Sequence, residues 1–196
     1  MPPTTRIRLL RHAPTPATRA HRFARDEALD AAGEAFAASL DLGAVVGPVV
    51  SAPSQRCLQT AAAVAPGVEV VVDPRWSELD FGRWSGLTMQ QVWERDRDGL
   101  KNWLDDPGVA PSGGEPFGRL AHRVGEALDL LRAAGGEHLV VTSAGPIKAA
   151  VLLALDAPVA SVWRIDVAPG SVTRLDADAS GRWTVRALNL PPQAAR

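Results

Sequence analysis

The sequence predicts an α/β fold, a three-layer sandwich in which a mainly parallel central sheet is flanked by helices. Three observations predict it. Short runs rich in aliphatic and β-branched residues recur along the chain, helical patterns separate them, and no internal repeat or inter-domain linker breaks the alternation.

The elements follow in order. RIRLL at 6–10 is a short strand that stops at Arg11, and a Pro-containing loop leads to a helix over 28–43 that ends near Gly43. PVVS at 48–51 is a second strand, closed by Pro53. Ser54 is placed to cap the helix SQRCLQTAAAVA, whose end is marked by Pro66 and Gly67. VEVVV at 68–72 is a third strand. Thr88 and Gln91, three apart, form a capping box for a helix running to about Trp103. A loop dense in Pro and Gly covers 107–114. The next helix starts at Glu115, with Phe117, Leu120, Ala121, Val124, Leu128 and Leu131 forming an apolar stripe. HLVVT at 138–142 is a fourth strand, followed by a helix from Pro146. SVWRIDV, SVTRLD and RWTVRAL read as three closing strands. One domain is expected over 1–190, with a small cap or insertion around 75–114 and a disordered tail at 191–196.

The totals narrow the function classes. A formal net charge of −1 provides no global field for nucleic acid or an anionic membrane. The one cysteine, Cys57, permits no internal disulfide and fits a reducing compartment. No segment approaches the ~20 apolar residues of a membrane span, and the first residues lack the apolar stretch of a secretory leader. A cytoplasmic domain is expected, with no nucleic-acid or membrane partner. The oligomeric state stays open, a dimer included.

In an open α/β sheet, ligands sit beyond the carboxyl ends of the strands. Arg11-His12, SAPSQR, WSELDFGRW and TSAG all follow strands and so gather at one edge. Arg11 and Arg56 carry forked guanidinium groups that match phosphate oxygens. Arg56 also lies in the first turn of its helix, where free N–H groups favour an anion. His12 has the chemistry of a nucleophile or base near neutral pH. Glu78, between Trp76 and Phe81, has an apolar setting suited to a protonated general acid. Taken singly, each reads as an ordinary surface or loop residue. Together they describe a phosphoryl-transfer site. The tryptophans of this region, Trp76, Trp84, Trp93 and Trp103, fit either an aromatic substrate or core packing.

LLRHAPT resembles the Arg-His-Gly signature of the histidine phosphatase superfamily, with Ala13 in place of glycine. SAPSQRCLQTA is similar to that family's second arginine motif, SELDFGRWSG to its acid-bearing motif and PSGGEPF to its Gly-Gly-Glu segment. VVTSAGPIK stands where the family has a strand followed by histidine. The resemblance covers about residues 6–150 in the expected order. It implies a phosphoglycerate mutase-like fold, a phosphohistidine formed on His12, phosphate binding by Arg11 and Arg56, and protonation of the leaving alcohol by Glu78. Thr15, Ser143 and Ala144 fall at further phosphate-binding positions. No metal or other cofactor is implied, and the partner is a small phosphorylated metabolite or phosphate ion. The chain length and modest 75–114 segment resemble the small phosphatases, such as alpha-ribazole phosphatase, more than the longer phosphoglycerate mutases.

One position departs. The family's second catalytic histidine falls at 143, where this chain has serine. A hydroxyl offers a hydrogen bond but no positive charge. His21, His122 and His138 offer no replacement, because His138 starts the strand that Ser143 ends. The family's usual asparagine in the loop after His12 appears as Thr18. Two readings follow: a phosphomonoesterase slowed or retuned by Ser143, or a pseudophosphatase that binds a phosphorylated ligand or partner without turnover. A serine-hydrolase elbow is disfavoured because Val141 stands where glycine is needed. Cys57 has Ala63 rather than arginine six residues on, and reads as a core residue of its helix.

Overall fold

The computed structural model describes residues 5–45 and 47–191. The tail expected to be disordered lies outside these, apart from residue 191. Six strands form one sheet: β1 (Thr5–Arg11), β2 (Val49–Ser51), β3 (Val70–Val72), β4 (Gly136–Thr142), β5 (Val172–Ala177) and β6 (Trp183–Leu190). Their order is β3-β2-β4-β1-β5-β6. The first four in that order run parallel, β5 pairs antiparallel with both β1 and β6, and β5 is therefore the one strand of this mixed sheet that runs against the others.

Among the described residues there are seven α-helices: α1 (Pro16–Arg19), α2 (Ala31–Ser39), α3 (Gln55–Val64), α4 (Met89–Arg95), α5 (Arg97–Asp105), α6 (Phe117–Ala134) and α7 (Ala144–Ala154). The α6 stripe is inward as its spacing predicts: Phe117, Leu120, Val124 and Leu128 are buried. Gly135 ends the helix at φ 66, a backbone region glycine enters without a Cβ clash. The central strands carry near-continuous apolar runs because helices cover both faces. Ile7, Leu9, Leu139, Val140 and Val141 are all fully buried. Each contributes about 1.5–3 kcal/mol of burial.

Four local expectations need correction. The helix expected over 28–43 is shorter, starting after Asp30, whose side chain accepts from Gly33 N. The helix expected from Thr88 to Trp103 keeps its capping box but breaks at Asp96. There the Asp96 carboxylate accepts from Gly99 N (3.2 Å) and from Trp84 Nε1 (2.9 Å), so a second N-cap starts inside the expected helix. SVWRIDV is not a strand: Val159–Arg164 is a 3₁₀ turn. Its β-branched content suggested a strand, but Val162 and Ile165 pack inward three apart and Trp163 lies 4.5 Å from Trp103. Ser54 stands at the α3 N-cap without a capping bond, and Asp26 instead accepts from Gln55 N at 2.9 Å.

The segment 75–114 packs into the same core through Trp76, Trp84 and Trp103, with Phe23 set against Phe81 at 4.9 Å. These tryptophans are therefore core residues. Trp93 is half-exposed under Arg97, 4.4 Å from its ring centre. No helix among the described residues is long and apolar enough to cross a membrane.

Candidate active site

The register pairs Arg11 of β1 with Thr142 of β4. His12 and Ser143 therefore leave the sheet side by side, and His12 N–H donates to Thr142 O at 2.9 Å. Behind them, Ala13 N–H donates to Thr60 Oγ1 on α3 (3.0 Å), fixing the loop after β1.

His12 is 3% exposed. Its Nδ1 lies 2.7 Å from Ala13 O, and a carbonyl can only accept, so Nδ1 carries the proton. Its Nε2 accepts from Arg56 Nε at 3.1 Å. The partners thus select the tautomer with a lone pair on Nε2. Burial, then the Arg56 cation, hold the imidazole pKa well below 6.5, with Arg11 acting in the same direction; the Ala13 bond partly opposes them.

Arg56 is 2% exposed and organises the site. Nη2 donates to Ser143 Oγ at 3.2 Å and Nη1 donates to Arg25 O, with Glu27 Oε1 at 3.9 Å from Nη1. Arg11 Nη1 donates to Val167 O at 2.5 Å. Its buried Nε has no hydrogen-bond partner among the described residues. Burial lowers the Arg11 pKa, opposed by the charges of Glu78 and Asp166. Ser143 caps α7 by position but makes no cap bond. It also lies in hydrogen-bond reach of Cys57, whose thiol burial pushes up in pKa.

Glu78 reaches the same cleft, but its setting is not the apolar one expected. Oε1 accepts from Leu79 N (2.8 Å) and Gly145 N (3.1 Å), while Oε2 takes only a longer 3.3 Å contact from Gly145 N. Ala144, the first residue of α7, is half-buried beside them. Thr15 is buried, and its hydroxyl is held by other partners. It accepts from Thr18 N and donates to Glu27 Oε1, each at 3.1 Å. The cleft of about 250 Å³ has Arg11, His12, Thr18, Arg22, Arg56 and Glu78 among its lining, with Phe23, Phe81 and Met89 as an apolar wall. His122 and His138 stand elsewhere as expected, the first exposed on α6 and the second bonded to Gly135 O at 2.8 Å, but His21 does line this cleft, contrary to the expectation that it stands clear of the site.

Sequence reasoning missed three contributors. Arg123 donates to Arg75 O (2.7 Å), Ser77 O (2.6 Å) and Glu78 O (3.1 Å), and to Glu115 Oε1 at 2.6 Å. It holds the segment carrying Glu78, and the PSGGEPF motif, which contains Glu115, was the available signal. Glu27 faces the cleft from a loop with no distinctive pattern. Lys148, one turn into α7, is near enough to feel Glu78, Asp166 and Arg11; burial lowers its pKa most, and the two carboxylates oppose that.

The fold and this geometry define an α/β protein whose parallel strand ends gather a buried histidine, two arginines and a carboxylate. The sequence matches the family model described as Histidine phosphatase superfamily (branch 1) over residues 7–191, and the chain belongs to that superfamily. Among curated relatives, Bifunctional protein Rv2228c of Mycobacterium tuberculosis (strain ATCC 25618 / H37Rv) is 35% identical over 195 residues, covering 94% of this chain and 54% of that protein. The chain thus spans about half the length of the first curated relatives it matches. The structure of mycobacterial glucosyl-3-phosphoglycerate phosphatase Rv2419c with inorganic phosphate superposes with a TM-score of 0.80 at 26% identity, covering 96% of this chain and 98% of that one. The alpha-ribazole phosphatase from Shigella flexneri shares the fold, with a TM-score of 0.82 at 23% identity over 94% of this chain and 96% of that one.

Proposed function

We propose that the chain is a phosphomonoester hydrolase that works through a phosphohistidine on His12 and acts on a small phosphorylated metabolite. The observation that carries this reading is the Nε2 lone pair of His12, fixed by Ala13 O and facing a cleft with Arg11, Arg56 and Glu78. The cleft volume, about 250 Å³, suits a small ester rather than a macromolecule.

The steps follow from these groups. A phosphoryl oxygen is a charged acceptor and a stronger partner for Arg56 than neutral imidazole. Arg56 Nε–H keeps its proton and switches its hydrogen bond from His12 Nε2 to that oxygen, which frees the His12 lone pair to attack phosphorus as the bond to the alcohol oxygen breaks. Glu78 Oε2, the less engaged carboxyl oxygen, supplies the proton to the leaving alkoxide. Water, deprotonated by the Glu78 carboxylate, then attacks phosphorus, the P–N bond breaks, and phosphate leaves with His12 neutral again. Arg11 Nε, buried with no hydrogen-bond partner among the described residues, supplies a second donor to the phosphoryl group. Ser143 leaves the transferring group without a second imidazolium, which slows or retunes the reaction.

The same serine supports the second reading, a pseudophosphatase that binds a phosphorylated ligand or partner without turnover. The test is to incubate the protein with a panel of phosphomonoesters and quench. Hydrolysis, together with an acid-labile, alkali-stable phosphoryl group on His12 that is absent in His12→Ala, is the expected result. Saturable phosphate binding with neither turnover nor phosphoenzyme overturns the hydrolase reading in favour of the binding one.

A further inference from the structure

The His12 cleft has two chemically unlike parts. Arg11, His12, Arg56 and Glu78 make one, and Phe23, Phe81 and Met89 make the other. Glu78 and Phe81 lie three residues apart on one segment, pinned between them where Asp80 N–H donates to Glu115 Oε1 at 3.2 Å. An alcohol that takes its proton from Glu78 therefore carries its carbon atoms beside the apolar part.

That part is set before any ligand arrives. Phe23 N–H donates to Leu87 O and Gly86 N–H donates to Phe23 O, each at 2.9 Å, and Arg22 forms a bridge with Thr88. These bonds zip the loop after α1 onto the N-cap of α4 and bring Phe23 and Met89 to one wall. From behind, the Phe23 ring packs on Trp84 and Trp103 at 5.6 and 5.9 Å, and Phe81 on Trp103 at 6.2 Å. Core packing accounts for both phenylalanines on those sides. It does not account for Met89, which is 45% exposed at the first turn of α4 and stands outside the packed core. Polar side chains on this side of the cleft are committed within the chain. Thr18 Oγ1 donates to Thr15 O at 2.9 Å, and Arg22 Nη1 donates to Gly86 O at 3.0 Å and to Gln91 Oε1 at 3.3 Å. The Glu27 carboxylate accepts from Thr15 Oγ1 and from Arg25 N, each at 3.1 Å. His21 stays exposed. An apolar group displaces water from Phe23, Phe81 and Met89 and breaks none of these bonds.

We propose that the alcohol portion of the substrate is apolar, an aryl or branched alkyl group seated against Phe23, Phe81 and Met89, with Met89 the specificity-determining residue at the rim. The inference rests on the reading that the His12 cleft takes a phosphoryl group. Methionine's unbranched thioether adapts to the shape it meets, so the wall selects apolar character more than one particular outline.

Phosphonates test this, because they keep the anionic head and are not hydrolysed, so binding is read apart from turnover. 2-Phenylethylphosphonate should bind the whole protein at least about tenfold more tightly than propylphosphonate, and 2,3-dihydroxypropylphosphonate no more tightly than propylphosphonate. Met89 is one of two methionines in the chain, so methyl-labelled methionine reports on the rim directly. The phenyl ring should move the Met89 methyl resonance by its ring current. Met89→Gln, similar in length, should cut the preference for the phenyl compound over the propyl one at least about threefold. Equal affinity for those two, tighter binding of the dihydroxypropyl compound, an unmoved Met89 methyl, or a preference that Met89→Gln leaves intact overturns the apolar subsite. Absence of binding by all three overturns the phosphoryl reading of the cleft and this inference with it. Preferential binding without turnover or phosphoenzyme removes only the hydrolase step and leaves the apolar subsite standing.

Discussion

Arg56 Nη2 donates to Ser143 Oγ at 3.2 Å while Nε of the same guanidinium donates to His12 Nε2 at 3.1 Å. One buried cation thus spans both residues that the strand ends of β1 and β4 place together. In that arrangement Ser143 is an acceptor for Arg56, and Arg11 and Arg56 are two cations lining the cleft at His12.

Restoring a charge at 143 should accelerate turnover. Ser143→His is expected to raise kcat on small phosphomonoesters about 10²–10³-fold, the usual worth of one preorganised donor at developing charge. Ser143→Ala should change kcat by no more than about threefold, because the hydroxyl is held by Arg56 rather than by substrate. Steady-state kinetics of the two variants decide it. A folded Ser143→His protein with no gain indicates that another group already supplies the charge.

Gly145 allows the close approach of Glu78 to α7. A Cβ at 145 would stand 2.1 Å from Glu78 Oε1, so Gly145→Ala must displace the carboxyl group. On alkyl phosphates, whose leaving group needs a proton, kcat/KM should fall at least about tenfold, within the typical worth of general acid catalysis. On p-nitrophenyl phosphate, which departs without that proton, the loss should be small. Equal losses on both substrates would remove Glu78 from the role of acid.

Arg123 sustains the same carboxylate from behind. Arg123→Met leaves the carbonyls of Arg75, Ser77 and Glu78 and the largely buried Glu115 carboxylate without this donor. Urea denaturation should report a loss of about 2–4 kcal/mol. Arg123→Lys should recover only part of it, because an ammonium cannot reproduce the fork that spans four acceptors.

The depressed His12 pKa sets a pH signature. In the folded protein the His12 imidazole stays neutral below pH 6.5, so the acid limb that the proposed phosphohistidine route gives to kcat/KM should fall below that value. The stability consequence has a definite sign. Below pH 6.5 the unfolded chain takes up a proton on His12 that the folded chain refuses, so stability falls as pH drops from 6.5 towards the folded pKa. The slope is at most about 1.4 kcal/mol per pH unit from this one group. Comparing thermal melts of the parent and His12→Ala between pH 7 and 5 isolates the effect.

Much of this was legible in local residue patterns. Five of the six strands, the α6 stripe and the Thr88–Gln91 capping box follow from side-chain periodicity and cap chemistry, which act over a few residues. The sixth, β3, kept only the end of its expected run, at Val70–Val72. Misreadings occur where tertiary contacts outweigh local preference. Val159–Arg164 takes a 3₁₀ turn that packs Trp163 on Trp103, and Asp96 ends one helix because Trp84 and Gly99 both need its carboxylate. Gly99 is a local capping partner of Asp96, but Trp84 and Trp103 lie too far along the chain for the local pattern to show them.

The chain's own sequence determined that Arg11, His12, Arg56, Glu78 and Ser143 follow strands and so meet at one edge of a parallel sheet, because parallel strands all end on the same side. Only the tertiary structure decided what each group does there. Arg56, not a second histidine, touches both His12 and Ser143; backbone N–H groups, not an apolar wall, receive Glu78; and Thr15 is held by Thr18 and Glu27. These choices depend on distances between residues far apart in the chain, and hydrogen bonds of about 3 Å exist only once the core has set those distances.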